Sequence, residues 1–174
     1  MDLHNKARVN ALALHGQGRF AEAIVKYQQL LRQSPDDQTV AANLASALVR
    51  VGRLDEGLSM YEHLASKNGQ QPELWFNYAN ALQRAGNLTK ARQIFERTLK
   101  IAPAFFPAAL NLANLVRDIG ESQLAIELYQ HAITLNPQHP KPRVNLARLL
   151  RSMKCLKETR DVLNTAMQAG ASNL

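Results

Sequence analysis

A single cysteine, Cys155, stands in the 174-residue chain, which excludes a disulfide framework within it and fits a reducing compartment. No long apolar run is present, so no segment is expected to span a bilayer. Strand-like alternation is absent. Glycine and proline are not enriched beyond a role as punctuation, and the 46% hydrophobic content is ample for a core, so the chain is expected to be ordered. Its start, MDLHNKARVNALALHGQGRF, reads as an amphipathic helix and lacks the hydrophobic centre of a signal peptide. Together these absences predict a cytoplasmic protein without membrane insertion.

The chemistry of an active site is missing as well. His4, His15, His63, His131 and His139 fall at unrelated positions, with no ligand pair at helical spacing, so no metal is expected. Cys155, beside Lys154 and Lys157, reads as an ordinary surface or half-buried thiol in a turn between helices. No glycine-rich phosphate loop and no Ser-His-Asp arrangement is found, and HGQGRF is only a turn. The expectation is a non-catalytic chain with no cofactor.

What the sequence does contain is a period. Gly18, Gly52, Gly86 and Gly120 are each 34 residues apart, as are Ala11, Ala45, Ala79, Ala113 and Ala147. The same step carries Tyr27 to Tyr61, Phe95, Tyr129 and Leu163, and Ala23 to Gly57, Ala91, Ala125 and Thr159. Pro35, Pro103 and Pro137 keep one phase, with Gly69 in the second slot. A fixed period in this range marks stacked helical repeats. Within one unit, Trp75, Tyr78, Ala79 and Leu82 make the apolar face of a first helix. Gly86-Asn87 breaks it. Leu88, Ala91, Ile94, Phe95 and Leu99 make the face of a second helix, which Pro103 ends because it has no N–H to donate. Small Ala79 and Ala91 let the two helices approach closely, and Trp75 belongs to the packed face.

These residues carry a family resemblance. The order Trp75, Tyr78, Ala79, Leu82, then Ala91, Phe95, Pro103 resembles the tetratricopeptide repeat, with its W-x2-L-G-x2-Y, A-x3-F and P pattern. The resemblance implies an all-α fold, a right-handed superhelical solenoid of five antiparallel helix pairs, forming a single domain over residues 1–174. Its units are expected at about 4–37, 38–71, 72–105, 106–139 and 140–173. Gly57 replaces the packing alanine in the second unit, KNGQQPE makes a looser exit from it, and Pro107 suits the first turn of a helix. The fifth unit is the most degenerate: Lys154 stands where glycine stood and Thr159 where alanine stood. Arg92 and Arg160 occupy a phase held elsewhere by Ile24, Leu58 and Ile126, so Arg160 is expected to make the last face more polar, leaving Leu163 and Met167 partly uncovered. Since repeat arrays need polar end caps, three readings stand: the array ends on a modest cap, the chain is a segment of a longer protein, or it self-associates through its C-terminal repeat; the segment is the favoured expectation.

Stepping about 100° per residue around the first helix of the third unit leaves Glu73, Phe76, Asn77, Asn80, Gln83 and Arg84 on the arc opposite the packed face. The resemblance implies that this arc lines the concave inner surface of the array. Asn43, Asn77, Asn111 and Asn145 occupy one phase of it, with Asn80 and Asn114 one turn further on. Asparagine is a mediocre helix former, so its recurrence in helix interiors asks for a reason. Its amide offers two donors and an acceptor, a match for the N–H and C=O of an extended peptide. The row resembles the asparagine ladder of the tetratricopeptide superhelix in O-linked N-acetylglucosamine transferase. Two blander origins compete: asparagine copied along by duplication, or used in a bond to a neighbouring helix. Arg50, Arg84, Arg117, Arg148 and Arg151 fall on or beside the same arc, with Arg8 and Lys141 near the ends.

The net charge of +7, from 21 basic and 14 acidic residues, favours acidic or polar partners. The leading expectation is a protein–protein interaction module that holds an extended, polar or acidic peptide or protein segment in its groove. The alternative is a substrate-recruiting arm of a larger enzyme, a glycosyltransferase or sulfotransferase, whose catalytic domain lies outside this chain. Phe76 and Leu110 stand four residues before Asn80 and Asn114, where carboxylate-clamp members of the family need lysine, so a chaperone-tail receptor is not expected. Nucleic-acid binding is not expected either, because a helical-repeat code needs variable residues at its reading position.

Overall fold

The computed structural model describes the backbone of residues 3–67 and 69–171, and the side chains of residues 5–67 and 69–164. Among these residues are ten α-helices and no strand: α1 Leu3–Gly16, α2 Phe20–Gln33, α3 Gln38–Arg50, α4 Leu54–Lys67, α5 Pro72–Arg84, α6 Leu88–Ile101, α7 Phe106–Asp118, α8 Ser122–Leu135, α9 Pro140–Ser152 and α10 Leu156–Ala171. The chain is all-α, as its period implies. The end of the fifth expected unit at residue 173 and the side chains of His4 and Met167 lie outside the described residues.

One device turns the chain between the two helices of each pair. After α1 the Gly18 N–H bonds to the His15 carbonyl at 3.0 Å and the Arg19 N–H reaches back to the Leu14 carbonyl at 2.9 Å. This double closure satisfies two carbonyls that the helix end leaves open and places one residue in the left-handed region. Gly52, Gly86 and Gly120 repeat it, with φ between 79° and 89°. Lys154 does the same at φ 62°, although it carries a side chain. The first helices start by local means. Asp37 caps α3 by accepting from the Val40 N–H at 3.0 Å. Proline sits in the first turn of α5, α7 and α9, where no helical hydrogen bond is lost.

The chain divides into two compact units, Met1–Ala91 and Arg92–Leu174, with the division inside α6. In the first, Ala11, Ala23, Ala45, Ala79 and Ala91 are buried without residual exposure, and the rings of Tyr27, Tyr61, Trp75 and Tyr78 fill the space beside them. Tyr61 and Tyr78 stack with centroids 5.9 Å apart and planes at 22°. The Trp75 indole N–H donates to the Gly69 carbonyl at 3.2 Å, so its polar atom is satisfied at the edge of the core. In the second unit, Ala113, Ala125 and Tyr129 hold the corresponding buried places, together with Phe95, Leu112, Leu115 and Val116. Each fully buried large side chain contributes about 1.5–3 kcal/mol over its exposed state, and this burial holds the helix pairs together.

Candidate functional site

In the first unit, α3 and α5 bring part of the expected arc together. Their side chains Ser46, Arg50, Asn77, Asn80 and Arg84, with Tyr61 from α4, line an open cavity of about 360 Å³. Asn77 and both arginines are exposed, while Asn80 and Ser46 are half-buried. Asn77 makes no side-chain hydrogen bond to another described residue. Asn43 is half-buried on α3, one helix pair earlier in the same phase.

The Arg50 guanidinium lies 4.8 Å above the centre of the Phe20 ring, a cation–π contact that fixes its direction. Phe20 in turn meets His15 edge-on, with centroids 5.2 Å apart and planes at 89°. Burial, and then the nearby Arg50 charge, lower the His15 pKa below its ordinary value, so the imidazole is neutral at neutral pH. Beneath the cavity the Tyr61 phenol is pushed up to about 12 by burial, opposed by a hydrogen bond with Ser46. It is therefore a neutral group at physiological pH. The positive charge of the cavity belongs to its arginines alone.

The second unit treats the same positions differently. Asn145 Nδ2 donates to Asn114 Oδ1 at 2.8 Å, and the Tyr129 hydroxyl donates to the same oxygen at 2.7 Å. Arg117 Nη1 donates to the Tyr129 oxygen at 3.1 Å. The remaining nitrogens of Arg117 bind Asp118 Oδ1, Nε at 2.9 Å and Nη2 at 2.7 Å. Burial raises the Tyr129 pKa above its ordinary value, against the pull of the Arg117 charge. Asn111 is half-buried on α7, and Arg148 and Arg151 are exposed on α9. Lys141 is exposed on the first turn of α9.

Of the remaining arc residues, Arg8 is engaged elsewhere, in an ion pair with the capping Asp37 at 2.9 Å. The arc drawn on first helices alone omitted three residues of the first-unit cavity environment: Ser46, Tyr61 and Phe20. Ser46 was within reach of the period, since it stands 34 residues before Asn80. Tyr61 and Phe20 belong to second helices and enter only when the pairs pack.

A second concavity of the first unit, about 240 Å³, has an apolar floor that includes Leu31, Ala41, Met60 and Leu64, with Asp36 and Lys67 at its edge. Among the described residues there is no cluster of three or more His, Cys, Asp or Glu placed to hold a metal, and no helix long and apolar enough to cross a membrane.

Comparison with known proteins gives a consistent fold. The tetratricopeptide repeat family is matched over residues 14–75 and 52–116 by one model and over 108–141 by another. The structure of MamA, residues 41 to the end, from Desulfovibrio magneticus RS-1 superposes with a TM-score of 0.80 at 17% identity, covering 99% of this chain and 97% of that one. TTC0263, a thermophilic TPR protein in Thermus thermophilus, superposes with a TM-score of 0.74 at 19% identity, covering 95% of this chain and 91% of the other. A comparison with curated protein sequences returned no match.

Proposed function

We propose that this chain, which belongs to the tetratricopeptide repeat family, acts as a non-catalytic protein–protein interaction module holding an extended peptide or protein segment on the face presented by the first helices of its pairs. Proteins of this family bind protein partners. The observation that carries the reading here is the first-unit cavity, where exposed Asn77 stands beside Asn80, Ser46 and two arginines on adjacent first helices. An amide in that place can take a backbone N–H and give an N–H to a backbone C=O in return. Each such bond contributes about 0.5–1.5 kcal/mol net, so affinity comes from several acting together. Asn43, Asn77 and Asn111 serve the backbone in this reading, in the manner of the asparagine ladder of O-linked N-acetylglucosamine transferase. Exposed Arg50 and Arg84 on the first unit, and exposed Arg148 and Arg151 on the second, make each favour polar or acidic segments.

A pull-down from native lysate tests it, with the wild type beside a variant carrying alanine at Asn43, Asn77 and Asn111. Circular dichroism first establishes equal helical content. Partners identified by mass spectrometry with the wild type and lost with the variant are the expected result. The same partners on both would mean that binding does not use these amides.

A second contact, self-association through the last helix pair, is favoured by the exposure of Leu156 at 69% and Leu163 at 46% on α10. Molar mass measured by light scattering over a range of concentrations is expected to rise for the wild type and not for L156E/L163E. A constant wild-type mass would remove this reading.

A further inference from the structure

We propose that the cavity between Arg50 and Arg84 is a receptor for one carboxylate, an aspartate or glutamate side chain of the bound segment, and that this recognition is confined to the first unit. The proposal rests on the peptide-binding reading of this face and names the residue type that the face selects.

Two guanidinium groups line one cavity, and none of the residues around it is acidic. Neither arginine forms an ion pair with another described residue, whereas Arg8, Arg19, Arg53, Arg92 and Arg117 all do. Two exposed cations at one opening, with no anion to answer them, leave a site whose complement is an anion. Guanidinium offers a planar fork of donors that matches a carboxylate through two parallel bonds. The exposed amide of Asn77 supplies further donors at the same opening. Arg50 does not have to be ordered at the moment of binding, since the Phe20 ring already supports its guanidinium at 4.8 Å. Phe20 is thus a positioning residue for Arg50.

The second unit explains the restriction. The 34-residue step that takes Arg50 to Arg84 goes on to Asp118 and then Ser152. At the third position an acid has replaced the arginine, and this acid occupies two nitrogens of the adjacent Arg117 at 2.7 and 2.9 Å. The third nitrogen binds Tyr129. The place that is cationic and unanswered in the first unit is answered internally in the second.

Selection of phage-displayed random dodecapeptides on the full chain tests the proposal, followed by fluorescence anisotropy on the best binder. The selected peptides are expected to share an aspartate or glutamate at one position. Changing that residue to asparagine or glutamine is expected to weaken binding to the wild type by about 10–100-fold, the range for hydrogen bonds to a charged group. The same change is expected to matter little for the R50Q/R84Q variant. The F20L variant is expected to lose affinity for the acidic peptide while binding its amide counterpart as the wild type does. If the peptides bind equally well with the acid neutralised, the carboxylate site is overturned and the peptide-binding reading stands. Persistence of the acid effect in R50Q/R84Q would place the carboxylate elsewhere and overturn the proposal too. Failure of the wild type to select any peptide would overturn both readings.

Discussion

The side-chain amide of Asn145 donates to Asn114 Oδ1 at 2.8 Å, on the same oxygen that accepts the Tyr129 hydroxyl. Asparagines in repeated positions of this chain therefore stand in two different settings. In the second unit, Asn114 and Asn145 join α7 to α9, and Tyr129 of α8 closes the arrangement. In the first unit, Asn77 faces the solvent of an open cavity.

That difference predicts a difference in stability. Asn114→Ala removes the acceptor of two donors in partly buried surroundings, and is expected to cost about 1–2 kcal/mol. Asn77→Ala removes an exposed amide and is expected to stay within about 0.5 kcal/mol of the wild type. Urea titrations of the two variants check this. Equal costs would mean that the Asn114 bonds hold nothing together.

Alkaline pH gives a second prediction, through Tyr61. Its phenol is almost wholly buried, and burial pushes its pKa up to about 12 from an ordinary value of 10.0. In the unfolded chain it ionises near the ordinary value, while in the folded chain it stays neutral until higher pH. The stabilisation is present in full below pH 10 and is lost as the pH rises toward and through 12. A difference of this size corresponds to about 2–3 kcal/mol. Denaturant midpoints are expected to fall between pH 10 and 12 for the wild type, and to fall less steeply for Tyr61→Phe. Identical pH profiles for the two proteins would remove Tyr61 as the source.

A third prediction concerns the turn between α9 and α10. Lys154 holds φ 62° in the place where the other turns have glycine at φ 76° to 89°. A side chain in this region meets its own backbone, at a cost of roughly 1–2 kcal/mol that glycine avoids. Lys154→Gly is therefore expected to stabilise the chain by about 1 kcal/mol and raise its melting temperature by a few degrees. A lower melting temperature would show that the lysine side chain contributes something the turn needs.

The helix pairs and their turns were legible in the sequence because both are periodic. A glycine every 34 residues marks the left-handed position, and the alanines mark the close approaches. The face carrying Asn77 and Asn80 followed from the helical step within one helix. What that helix could not disclose was partnership across helices. Tyr129 is packed by its ring, yet its hydroxyl decides what Asn114 does. Arg117 stands one residue before the position of Arg50 and Arg84 in the period, and the aspartate beside it takes its fork. Phe20 reads as a helix-start residue, and its place under Arg50 depends on how α2 packs against α3.

Gly57 shows the same limit in the core and gives the last prediction. By the period it fills a position held by Ala23, Ala91 and Ala125, so restoring alanine looks favourable and would add about 1 kcal/mol of helix propensity. Yet a Cβ at Gly57 would lie 2.6 Å from Val49 Cγ2 and 2.8 Å from the Ala45 carbonyl oxygen. The first contact could be relieved by a movement of the Val49 side chain. The second is with backbone inside α3 and could be relieved only by moving α4 away from it. Overpacking of this kind costs about 1–3 kcal/mol, enough to outweigh the propensity gain. Gly57→Ala is expected to lower stability by about 1 kcal/mol, and adding Val49→Ala is not expected to restore it, because the carbonyl contact remains. Thermal melts of the single and double variants decide between the two effects. A gain in stability for Gly57→Ala would mean that the α3–α4 pair has room to open, and that helix propensity governs this position.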